Sequence, residues 1–183
     1  FGRSLRCASF TPHSWIVMFQ ENEMANSKVT GGAGEHYVAY ALSCLGFMPA
    51  LVREGSPAVD LLVSNISGSK TIAIQVKTAK SALRKRGRGD ERKPNHLEFT
   101  LGKKAIEKKK IKLMFCFVDL KGFDPANKPD VYVIPALKII QYYEGKNIEK
   151  QKWFRLHWPV ELMEEYKNNW KPIHQLLDEV EET

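Results

Sequence analysis

The sequence predicts an α/β fold, a mixed sheet flanked by helices, and three observations carry that reading. β-like runs recur at residues 59–63, 72–78, 113–120 and 131–134. Helical patterns bracket them, with Val38, Leu42 and Leu45 on one face of the first and Trp170, Ile173, Leu177 and Val180 on one face of the last. No internal repeat and no shift in composition cuts the chain in two.

In order along the chain, Thr30, Gly31 and Gly32 read as a flexible approach, with Thr30 capping a helix from about residue 32 to residue 45 that Gly46 stops. Residues 47–53 read as extended, and Glu54-Gly55-Ser56-Pro57 as a turn. The runs 59–63 and 72–78, joined through Ser67-Gly68-Ser69, form a hairpin. Residues 81–95 are polar, basic and punctuated by glycine, which predicts a mobile loop. A short strand over 97–100, a basic helix over 103–110, a buried strand over 113–120 and a strand over 131–134 follow. Residues 137–143 make a helix after Pro135, a further helix follows Trp158-Pro159, and an amphipathic one closes the chain. Residues 24–183 therefore form one domain, a core over about 31–140 and a helical extension over about 141–183. Met24-Ala25-Asn26-Ser27 reads as a natural start, which makes residues 1–23 a non-core extension.

At 183 residues the chain is long enough to bury a real core. Its 43% hydrophobic and 27% charged content is ordinary for a globular protein, and no run approaches the length of a membrane span. A net charge of +7 favours an anionic partner. That charge is concentrated: Lys80, Arg84, Lys85, Arg86, Arg88, Arg92 and Lys93 face only Asp90 and Glu91 in the same stretch. Such residues can contact successive phosphates of a nucleic acid, though nothing there specifies bases. Lys103, Lys104, Lys108, Lys109, Lys110 and Lys112 form a second basic cluster. Cys7, Cys44 and Cys116 have no paired spacing; Cys44 and Cys116 read as buried small hydrophobes, a pattern that suits a reducing cytoplasm.

The chemistry concentrates at the end of one strand. Alternation puts Ile72, Ile74 and Val76 on one face and Ala73, Gln75 and Lys77 on the other, so an amide and an amine stand roughly 7 Å apart along the strand. The hairpin brings Asp60 near Gln75 and Lys77. Glu35 shares the apolar helical stripe of Val38 and Leu42, and a carboxylate facing inward needs a partner. An acid, a second oxygen ligand and a lysine at adjacent strand ends can hold Mg²⁺ and activate a water.

The order Glu35, Asp60, Gln75-x-Lys77 resembles the PD-(D/E)XK nuclease superfamily, which includes Holliday junction resolvases and many restriction endonucleases. The resemblance covers about residues 31–140. Val59 stands where the family carries a proline before the acid, and Gln75 stands where it carries a second acid or a glutamine. The resemblance implies a restriction-endonuclease-like sheet and a Mg²⁺-dependent deoxyribonuclease, with Mn²⁺ as a substitute. Glu35, Asp60, Gln75 and the Val76 carbonyl would surround the metal, and Lys77 would orient or deprotonate the attacking water. DNA as substrate and a homodimer follow by the same resemblance. Two alternatives stand beside it: a nucleic-acid-binding module without turnover, or an accessory subunit of a restriction or defence system that binds a partner protein through its C-terminal helices.

Other groups carry weaker signals. His36 turns away from Glu35 and reads as a surface residue; His96 reaches the site only if its strand is adjacent. No close histidine pair indicates a histidine zinc site. Gly31-Gly32-Ala33-Gly34 lacks the ending of a phosphate-binding loop. Trp153, Phe154, Trp158 and Trp170 read as core or interface residues.

Overall fold

The computed structural model describes residues 27–52, 59–87, 93–102, 113–144 and 153–178. Helix α1 (Ser27–Cys44) precedes strands β1 (Met48–Leu51), β2 (Leu61–Ser64), β3 (Thr71–Ala79), β4 (Leu83–Arg86), β5 (Lys93–Gly102), β6 (Leu113–Asp119) and β7 (Asp130–Pro135). Helix α2 (Ala136–Tyr143), strand β8 (Trp153–Pro159), the short helix α3 (Val160–Met163), a 3₁₀ turn (Glu164–Tyr166) and helix α4 (Lys171–Leu177) complete the chain. The strands form a five-stranded mixed sheet in the order β1-β2-β3-β6-β7 and a separate three-stranded sheet in the order β4-β5-β8. Among the described residues only the β3–β6 pair is parallel.

Strand alternation builds two cores, one on each face of the larger sheet. Ile72, Ile74 and Val76 pack with Val38 and Leu42 of α1 and with Ile173 and Leu177 of α4. On the other face Phe115, Phe117, Tyr132 and Ile134 meet Leu97, Phe99 and Leu101 of β5, Leu156 and Trp158 of β8, and Ile139 of α2. Phe99 and Phe117 lie 5.1 Å apart between ring centres, which joins the two sheets. β6 is buried along its whole length, as a strand covered on both faces must be. The carboxylate of Asp119, itself buried, accepts the N–H groups of Ala82 and Lys121 at 3.0 Å, which fixes where the chain leaves the first sheet for the second.

Several expectations are met and several are corrected. The hairpin, the buried strand and the strand of residues 130–135 lie where the sequence put them. α1, however, starts by Ser27, so Thr30, Gly31 and Gly32 are helical and Thr30 caps nothing. Two mid-helix glycines cost about 1 kcal/mol each; packing on the sheet outweighs that. Leu45 falls beyond the helix end and is exposed, and Cys44 is exposed rather than buried, because it turns away from the Val38–Leu42 face. Residues 81–95 are not simply a loop: β4 and the start of β5 occupy most of the described part. Residues 153–159, expected within a helical extension outside the core, instead form β8, because pairing with β5 lets Leu156 and Trp158 point into the core while Arg155 and His157 point out. The two C-terminal helices are present but short. Residues 1–26, the turn at 54–57 and the basic helix over 103–110 lie outside the described residues. Among the described residues no helix is long and apolar enough to cross a membrane.

Candidate functional site

The site is built where β2 parts from β3. Leu61 pairs with Ile74, and Asp60 then donates its N–H to the Ile74 carbonyl at 2.9 Å. Among the described residues β2 offers the next outward-facing N–H of β3, that of Val76, no backbone partner. Asp60 Oδ2 accepts it at 2.7 Å. The side chain thus replaces one rung of the ladder and is held by it, a charge-assisted bond of the stronger kind. A strand residue points its N–H and its C=O at the same neighbour. The Val76 carbonyl therefore faces the same side of β3 as Asp60.

Gln75 and Lys77 lie on the opposite pleat from Val76, beside Phe115 and Phe117 of β6 in the parallel register. Gln75 is 4% exposed, and its Oε1 has no hydrogen-bond partner. A buried amide oxygen left unpaired costs about 1–3 kcal/mol, so it marks a place where an electropositive ligand would be gained. Burial among these aromatic neighbours lowers the pKa of the Lys77 amine, while the carboxylates of Asp60 and Glu35 act in the opposite direction. Burial wins. The three charged groups are thereby close enough to share one electrostatic environment.

Glu35 is not at a helix start. It is well inside α1, not near the start that a helix from about residue 32 would give it, and no acid occupies the first turn. It is partly buried, one residue after Gly34, which seats the helix against Thr78 of β3. The close approach at Gly34 is what carries Glu35 to the strand end.

Of the basic run, Arg84 donates to the Ser81 carbonyl at 2.7 Å and reaches Glu98 at 3.7 Å. The Lys80 ammonium sits 5.1 Å from the centre of the Phe123 ring. Lys85, Arg86 and Lys93 are exposed on the β4–β5 ribbon, with Arg86 opposite Lys93. Arg88 and Arg92 lie outside the described residues.

The structure ties Asp60 to Val76 and brings Asp60 and Glu35 within electrostatic reach of Lys77; Gln75 shares the strand face of Lys77. It does not add His96 to them. His96 instead joins Glu98 and His157 on the second sheet, a grouping invisible in sequence because β5 and β8 are far apart along the chain. The alternation of residues 153–159 is the one signal that could have exposed it. Trp158 is core as expected, and Trp170 is partly buried against the α1 side. Comparison with protein-family models, with curated proteins and with solved structures finds no match to this chain.

Proposed function

We propose that this protein is a metal-dependent phosphodiester hydrolase of the PD-(D/E)XK type, acting on DNA. The observation that carries the reading is the fork at Asp60, whose carboxylate is held by the Val76 N–H and acts on a desolvated Lys77 together with Glu35, while Gln75, on the same strand face as Lys77, keeps a buried amide oxygen unpartnered. This donor set of Glu35, Asp60, Gln75 and the Val76 carbonyl is all oxygen, which suits a hard cation such as Mg²⁺ or Mn²⁺. When bound, the ion would polarise the scissile phosphate and lower the pKa of its water.

The chain's own residues supply the rest. Asp60 is oriented by the Val76 N–H and keeps its geometry before any ligand arrives. Lys77, with its amine lowered by burial, is a better proton acceptor near neutral pH than an ordinary lysine, and it can orient water or balance phosphate charge. Lys85, Arg86 and Lys93 offer exposed cations to neighbouring phosphates without selecting bases.

Gln75 favours a second reading, a nucleic-acid-binding module without turnover, because an amide contributes no charge to the metal. One experiment separates the two. Purified protein is incubated with plasmid, single strands, forks and four-way junctions in Mg²⁺, Mn²⁺ or EDTA. Metal-dependent cutting that Asp60→Ala abolishes supports the hydrolase. Binding without cutting in either metal supports the module.

A further inference from the structure

On the outer face of the three-stranded sheet, we infer that His96, Glu98 and His157 form a second metal site, selective for an imidazole-seeking divalent ion such as Zn²⁺. His96 and Glu98 are two apart on β5 and so share a face; His157 of β8 is directly opposite Glu98 in the antiparallel register. One ligand atom from each lies within 4.8 Å of the others. Two histidines and one glutamate are a known catalytic zinc set, with the fourth tetrahedral place left to water.

The ring geometry agrees. Two imidazoles bound tetrahedrally at about 2.0–2.1 Å place their ring centres roughly 5 Å apart. The His96 and His157 centres are 5.2 Å apart. His96 Nδ1 lies 3.3 Å from Asn95 Oδ1, so a proton on Nδ1 donated to that oxygen leaves Nε2 as the ligand. His157 already directs Nε2 to within 3.8 Å of Glu98 Oε2. The other glutamate oxygen, Oε1, faces Arg155 at 3.5 Å and Arg84 at 3.7 Å. The carboxylate thus divides its work: Oε1 is held by the guanidinium groups and Oε2 is left for a cation.

Those guanidinium groups repel any divalent ion alike and engage the carboxylate, so the discrimination rests on the two imidazoles. Mg²⁺ gains little from imidazole and would depend on the single, already shared carboxylate, whereas Zn²⁺ draws most of its binding from the two histidines. The site is independent of the proposed hydrolase centre, which uses oxygen donors on the other sheet.

Metal-stripped full-length protein titrated with Co²⁺ tests this directly. One equivalent should bind with the visible absorption of a four-coordinate cobalt, displaced by Zn²⁺ and not by a large excess of Mg²⁺. Removing a residue that merely supports a ligand already costs 10–100-fold in metal affinity, so His96→Ala and His157→Ala should each weaken binding at least about 100-fold. Arg155→Gln, at an exposed position, should tighten binding. Asp60→Ala and His36→Ala should leave the spectrum unchanged, which separates this site from the proposed hydrolase centre. Absence of the cobalt spectrum in the wild-type protein, or its survival in either triad histidine variant, would overturn the assignment.

Discussion

Gly34 of α1 and Thr78 of β3 approach so closely that no side chain fits between them. A Cβ at Gly34 would lie 3.0 Å from Thr78 Cβ, 2.9 Å from Cγ2 and closer still to Oγ1. Glycine is therefore required here by the distance between helix and sheet.

The first prediction follows from that approach. Gly34→Ala should destabilise the protein by about 1–3 kcal/mol, the usual cost of overpacking, and should move Glu35 away from Lys77. Thr78→Ala should be nearly neutral by itself, because Thr78 Oγ1 is buried without a hydrogen-bond partner. Combined, Thr78→Ala should recover much of the stability that Gly34→Ala removes. Denaturant unfolding of the four proteins gives the coupling; strictly additive effects would show that the two positions do not touch in solution.

Lys77 makes a pH-dependent prediction. Burial lowers its amine below the ordinary value despite the raising effects of Asp60 and Glu35. The unfolded chain then holds the proton more tightly than the folded one, so stability rises with pH across the interval between the two values. This contribution is present above the unfolded value of about 10.4 and is lost as pH falls through the folded value. Lys77→Met removes the charge. It should melt above wild type at pH 7, and the gap should close as pH approaches 10. A gap that is constant with pH would assign the effect to packing instead.

How much of this was legible depended on whether the signal was local. The alternation of residues 72–78 alone orders Gln75 and Lys77 on one face, and a tight hairpin leaves Asp60 nowhere else to go. Glu35 could be placed on its stripe but not within its helix, since Gly31 and Gly32 imitate a helix boundary that packing overrides. The second sheet was readable only at residues 97–100, which lie inside β5. Arg84 and Lys85 resemble loop residues until β5 pairs with them, and β8 ends in a proline that suggests a helix start. The His96–Glu98–His157 grouping exists only through that pairing.

At the proposed centre, Asp60→Ala and Lys77→Ala should each lower cleavage at least about 100-fold, the range for loss of a general base or metal ligand, while DNA affinity stays within a few-fold. Asp60→Ala also strands the Val76 N–H, so Asp60→Asn, whose amide oxygen can still accept that bond, is the cleaner variant. Cleavage at the wild-type rate by Asp60→Asn would remove the carboxylate from the chemistry.

Exposed cations on the β4–β5 ribbon predict the salt response. Replacing Lys85, Arg86 and Lys93 with glutamine should weaken duplex binding alike across sequences. The slope of log affinity against log salt should flatten by roughly 0.9 for each phosphate that is no longer neutralised. Arg84 is left intact because it also braces Glu98. Thermal stability should barely change, since all three side chains are exposed. A slope equal to that of the wild type would make this ribbon a solvated face.

Gln75 decides what the site can hold. Its Oε1 is buried and unpartnered, so Gln75→Leu removes no hydrogen bond there and should keep its stability in the absence of metal. Gln75→Glu buries a carboxylate on the strand face of Lys77, which should cost about 1–3 kcal/mol without metal. Hard cations favour a carboxylate over an amide oxygen, so Mg²⁺ should restore that stability and bind more tightly than in wild type. Melting curves and Mg²⁺ titrations therefore report on the site even if the wild-type protein never cuts DNA. If it does cut, Gln75→Glu should reach half-maximal rate at lower Mg²⁺ and Gln75→Leu at higher. If it does not, any cutting gained by Gln75→Glu identifies the missing charge as the reason. Identical Mg²⁺ dependence of melting in all three proteins would mean that the amide does not see the ion, leaving Glu35, Asp60 and the Val76 carbonyl as its only ligands from this chain.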